Sequence, residues 1–94
     1  MIMMMTPWGV YNLNNLVYFD AHTVKEKDKW CVYVVFDSNK HLLHTFESEE
    51  DAGKYRNYVA QGIFELFEEG NKEIYYQGYL DAIMENAINH VIGG

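Results

Sequence analysis

Basic residues are scarce in this chain. Seven Lys and Arg stand against fourteen Asp and Glu, a net charge of −7, and gripping nucleic-acid phosphates needs many cations to displace counterions. The balance weighs against direct nucleic-acid binding and, for the same reason, against an anionic membrane surface. It fits a chain that stays soluble alone or meets a basic surface on a partner. Cysteine occurs once, at Cys31, which forbids an intrachain disulfide and points to a reducing, cytoplasmic setting. Long apolar runs are missing too. The opening MIMMM has no basic residue before it and meets Pro7 at once, so it is too short for a signal segment or a membrane span. Also absent are a phosphate-binding Gly-rich loop, HExxH, paired CxxC and GxSxG. The expectation is a protein that is not an enzyme, with no catalytic residue, cofactor or metal ligand assigned.

A chain of 94 residues makes one domain, 1–94, whose radius of gyration should lie near ~13 Å and which buries roughly 60 to 65% of its unfolded surface. A large enclosed active site does not fit in it. Residues 1–8 are read as either disordered or padding at a sheet edge.

The most informative stretch runs from Trp30 to Val59. Trp30 to Phe36 is apolar or aromatic throughout and rich in Val, which predicts a strand buried on both faces. Asp37 to Lys40 then reads as a tight turn with Asn39 tolerating the left-handed conformation, and His41 to Phe46 as the returning strand. In that pairing Phe36 lies opposite His41, Val34 opposite Leu43 and Val32 opposite Thr45. Before it, Gly9 to Leu13 is a short edge strand at best, and Leu16 to Val24 is strand-like. The charged Lys25 to Lys29 makes an exposed hairpin tip. A hairpin closing around Glu26 and Lys27 sets Phe19 against Val34, Ala21 against Val32 and Val17 against Phe36. One apolar face results, made of Val17, Phe19, Ala21, Trp30, Val32, Val34, Phe36 and Leu43.

Ser48 with Glu49, Glu50 and Asp51 is a capping-box variant at the positive end of a helix dipole. Ala52, Tyr55, Val59, Ile63 and Leu66 then recur at steps of three and four, a stripe that can lie on the sheet. This helix runs to about Glu69 or stops near Gly62. Asn71 is a candidate cap for a second helix from about Lys72 to Ile92, with Tyr76, Leu80, Ile83, Met84, Ala87, Ile88 and Val91 at helical spacing. The predicted fold class is α+β: a small antiparallel meander of three to four strands followed by two C-terminal helices packed on one face.

The opposite sheet face then carries Asp20, Tyr33 and His44 in one row, with His22, Cys31 and Phe46 in the next. Such a set contains zinc-ligand and acid/base residue types, but cross-strand neighbours on a flat sheet rarely converge on a point, and mixed aromatic and polar residues are what a subunit interface contains. His41, His90 and Cys31 are read as structural. Aromatic residues make up 16% of the chain, with eight Tyr, more than one helix stripe can hide. Homo-oligomer or partner contacts should therefore draw on Tyr18, Asp20, His22, Tyr33, His44, Glu49, Glu50, Asp51, Tyr55, Tyr58, Tyr75 and Tyr79.

NLNNLVYF leading into a charged hairpin, followed by HLLHTFESEEDAGKYRNYV, resembles the layout of small phage-encoded counter-defence proteins, among them anti-Thoeris sponge proteins and some anti-CRISPR proteins. The resemblance implies a non-catalytic inhibitor that sequesters a nucleotide signal or masks a host protein, and it carries over no binding residue. The expected function is thus a small acidic binding protein that inhibits or sequesters a protein partner with a basic surface, in a counter-defence or toxin-neutralising role. The alternative is a homo-oligomeric binder of a nucleotide signal with pockets between subunits.

Overall fold

The computed structural model describes residues 1–93, and its architecture is α+β, with two sheets sharing one long helix. Strands β3 (Phe19–Glu26), β4 (Lys29–Phe36) and β5 (Asn39–Phe46) form an antiparallel meander. A second sheet, ordered β2-β1-β6, joins β2 (Gly9–Asn12) and β6 (Tyr76–Tyr79) to the central β1 (Ile2–Thr6), with β1 and β6 parallel. Helix α1 spans Glu49–Gly70 and α2 spans Leu80–Gly93. Among the described residues, no helix is long and apolar enough to cross a membrane.

The capping signal works as the sequence implies: Ser48 is extended and its hydroxyl accepts from the Asp51 N–H at 3.2 Å. Ala52, Tyr55, Val59, Ile63 and Leu66 are all buried. They lie on Ala21, Val32, Val34 and Phe36 of the meander, and the same cluster continues through Ile2 and Met4 of β1 to Leu80 and Ala87 of α2. Gly62 does not end α1. A Cβ there would lie 2.7 Å from Ile83 Cγ2, so the glycine lets α2 approach closely.

The hairpins close one step later, and one step earlier, than the predicted pairing. Their two-residue loops are Lys27-Asp28 and Asp37-Ser38, with Lys27 (φ 57°) and Asp37 (φ 56°) taking the left-handed backbone assigned to Asn39, which instead begins β5. Phe19 therefore faces Phe36, Ala21 faces Val34 and Thr23 faces Val32. A shift of two residues preserves which side each chain faces, so the predicted core face survives with one exception. Val17 lies outside β3 and is 94% exposed. The Asp37 carboxylate accepts from the N–H groups of Val17 and Tyr18 at 2.9 and 3.0 Å, which pins this entry segment to the hairpin loop and not to a sheet edge.

Between β4 and β5 a bulge makes Leu43 the extra residue: Tyr33 pairs with Leu42, but Val32 pairs with His44. Beyond it the faces exchange. Phe46, predicted on the uncovered side, is buried with its ring 5.2 Å from that of Tyr55, and His44 turns to the same side, 5.6 Å from Tyr55.

Two segments depart from the predicted layout. Residues 2–6 are neither disordered nor edge padding, since Ile2 and Met4 are buried at the centre of the second sheet. The second helix starts at Leu80, and Tyr76 to Tyr79 form β6 beside β1. Asn71 caps the C-terminus of α1, its N–H donating to the Phe67 carbonyl at 3.0 Å. Gly78 admits Leu66 of α1 directly onto β6, where any Cβ would collide with the Leu66 methyls. Trp8 and Tyr11 tie the two sheets together: Trp8 stacks on His41 with ring centroids 4.0 Å apart, and the Tyr11 hydroxyl hydrogen-bonds His41 Nε2 at 2.8 Å.

Candidate functional site

The residues predicted to form one interface fall into separate places. Asp20, His22 and Tyr33 do share the uncovered face of the meander, and Tyr18 is exposed just before β3. His44 lies on the other side because of the bulge. Glu49, Glu50 and Asp51 occupy the first turn of α1, Tyr58 sits against His90 with ring centroids 3.8 Å apart, and Tyr75 and Tyr79 belong to the β6 region. Tyr55 is 1% exposed and belongs to the core, so it is not available to a partner.

On the uncovered face, His22 Nδ1 lies 3.0 Å from Asp20 Oδ2 and the imidazole stacks on Tyr33 at 5.8 Å. The Tyr33 hydroxyl donates to the Glu26 carboxylate, and Lys40 Nζ sits 4.2 Å from the Tyr33 ring centroid. This bond to Tyr33, and next the one to Cys31, lowers the Glu26 pKa, and it raises the Tyr33 phenol to about 12. Desolvation, then Glu26, raises the Cys31 thiol, which keeps it protonated and a poor nucleophile. The cluster is thus a hydrogen-bonded ladder whose members satisfy one another. Among the described residues, no group of three or more His, Cys, Asp or Glu is placed to hold a metal ion.

The core tyrosine carries a separate pH signature. Burial pushes the Tyr55 phenol from 10.0 up to about 12. The folded phenol keeps its proton where the unfolded one has lost it, so stability fully present below pH ~10 falls as pH rises towards ~12, by up to roughly 3 kcal/mol. Tyr55→Phe should remove that component, which urea melts between pH ~9 and ~12 will read against wild type.

Where concavity and charge coincide is the far half of α1. A groove of about 310 Å³ runs between α1 and α2, with buried Leu66 and Ala87 and half-buried Ile83 at its floor and Tyr58, Tyr76, Glu65 and Glu69 around it. A second depression on the outer flank of α1 shares Glu65 and adds Glu68 and Phe64, which is 56% exposed and edge-on to Phe19 at 6.0 Å. The glutamates stand at the wrong end of the helix for stability. The C-terminus of a helix is its negative pole, where a carboxylate in the last turn, as Glu68 and Glu69 are, costs about 0.3 to 1 kcal/mol, and α1 has no basic residue in its last turn. Only Lys72, beyond the helix, approaches Glu69, at 3.4 Å.

The two cations within α1 are engaged as well. Arg56 Nε donates to the Ala21 carbonyl at 2.7 Å, and Lys54 pairs with Glu50 at 3.3 Å. Among the described residues, neither the groove nor the outer depression is lined by Lys or Arg that could hold a phosphate.

The chain matches no family model, no curated protein and no solved structure.

Glu65, Glu68 and Glu69 form a dense acidic stretch in the sequence, but the groove beside Glu65 and Glu69 exists only once α2 packs on α1. The signal that marks it is the run of carboxylates at a helix end with no compensating Lys or Arg, a local arrangement that works against the dipole.

Proposed function

We propose that this protein is a non-enzymatic binding protein whose α1–α2 groove receives an apolar segment flanked by Lys or Arg on a macromolecular partner. The observation that carries the reading is the placement of Glu65 and Glu69 towards the negative pole of α1, around the apolar floor of the groove, with Glu68 and exposed Phe64 on the outer flank of the same helix. Carboxylates there oppose helix stability, and a cationic partner recovers that cost when it binds. The apolar floor contributes through burial, and the charges through steering and register. Inhibition or sequestration, as the counter-defence layout implies, needs nothing more than such a surface covering a basic site on its target. The acidic rim argues against an anionic nucleotide in this groove.

Titrating isotope-labelled protein with a short amphipathic Lys/Leu helical peptide tests the reading, with a Gln/Leu peptide of the same pattern as control. Chemical-shift changes are expected at Glu65, Glu69, Ile83 and Ala87. Kd should rise about tenfold between ~50 and ~200 mM salt, because the attraction is screened. Equal affinity for the Gln/Leu peptide, or shifts confined to Glu49, Glu50 and Asp51, would count against the groove.

A further inference from the structure

The free edge of β6 fits a second copy of this chain. Tyr76 donates its N–H to the Met1 carbonyl at 2.8 Å, which turns the backbone groups of Tyr76 and Gly78 towards β1. Strand alternation turns those of Tyr75, Gln77 and Tyr79 to the open side. Natural edges are blunted by Lys, Pro or a bulge. The segment Tyr75-Tyr76-Gln77-Gly78-Tyr79 carries no charge and no proline in a chain of net charge −7, so two acidic copies can approach along it with no charge on the edge strand itself. The other side of the same sheet is closed towards β5 by Trp8 and Tyr11 on His41.

The sequence of this edge is also self-complementary about its centre. In an antiparallel pair with Gln77 opposite Gln77 of the other copy, Tyr75 falls opposite Tyr79 and Tyr76 opposite Gly78. Residues 75, 77 and 79, whose backbone groups face outward, become the hydrogen-bonded positions. The side chains agree with that register. On the uncovered face the Tyr75 hydroxyl donates to Gln77 Oε1 at 3.0 Å and Gln77 Nε2 donates to the Tyr79 hydroxyl at 2.8 Å, a preformed ladder that a two-fold axis would double. The geometry points to a two-fold dimer in which the β2-β1-β6 sheets of two copies merge into one continuous sheet through β6.

Area sets the strength. Tyr75 and Tyr79 are 55% and 53% exposed; with Gln77 and the strand edge they cover about 400 Å² per copy, half the ~800 Å² of a standard interface. The dimer is accordingly weak and concentration-dependent. Two chains of like charge repel, so added salt strengthens it, opposite to its effect on a basic partner.

Sedimentation equilibrium from about 10 μM to about 1 mM is the test. The average mass should climb from 11.1 kDa towards twice that value, and more steeply in high salt. Gln77→Lys sets two ammonium groups against each other and should weaken association at least tenfold with an unchanged circular dichroism spectrum and melting temperature. Gln77→Cys on a Cys31→Ala background should cross-link under mild oxidation, because hydrogen-bonded partners lie ~5.5 Å apart at Cα. A constant monomer mass in high salt, a dimer indifferent to Gln77→Lys, or a dimer that Gln77→Cys does not cross-link overturns the proposal.

Discussion

Phe36→Ala is expected to cost about 3 to 5 kcal/mol, the range for truncating a fully buried aromatic. For a chain of this length total stability is of order 5 to 14 kcal/mol, so the variant loses a large fraction of it. Phe36 is fully buried, with its ring centroid 4.7 Å from Tyr11, 5.6 Å from Phe19 and 6.4 Å from His41. It therefore joins the inner face of the meander to β2 of the other sheet. Val35→Ala, one residue away on the uncovered face, should cost under ~1 kcal/mol. Denaturant melts of the two variants read the difference directly. Equal costs would mean that the two faces of β4 are not what the structure shows.

The double substitution Glu65→Lys with Glu69→Lys should move stability and binding in opposite directions. Replacing two carboxylates near the negative pole of α1 by ammonium groups should raise stability by about 0.5 to 1 kcal/mol, after allowing for loss of the weak Glu69–Lys72 contact. Affinity for the Lys/Leu peptide should fall on the order of 100-fold, because attraction becomes repulsion at the rim of the groove. A variant that gains stability and keeps its affinity would place the binding surface elsewhere. One that loses both would show the glutamates to be structural.

How much of this was readable beforehand depends on the range of the contacts involved. The α1 stripe and its Ser48 cap are local patterns, set by a period of 3.6 residues and by hydrogen bonds three residues apart, and they appear as predicted. The alternation of Phe19, Ala21, Val32, Val34 and Phe36 is equally local. It survived a two-residue error in register because only odd shifts exchange the faces. Loop closure was harder, since Lys27 and Asp37 adopt positive φ without the glycine that normally advertises it. The bulge at Leu43 could not be seen, because an extra residue in one strand is defined only against its partner. That single residue sends His44 and Phe46 to the helix side, and together with the β3–β4 register, which sets His22 and not Asp20 opposite Tyr33, it breaks the predicted row of Asp20, Tyr33 and His44.

Composition and local periodicity by themselves determined the α+β class, the long capped helix, the apolar inner face of the meander and the acidic character of the surface. Each depends on neighbours within one turn or one pleat. Only the tertiary structure decided that residues 2–6 and 76–79 pair in parallel across most of the chain, that Tyr55 is core, and that Glu65 and Glu69 border a groove with Ile83 and Ala87. A strand as short as β6 has no stability of its own and exists because β1 supplies its hydrogen bonds, and a groove needs two walls that the chain brings together only when it folds.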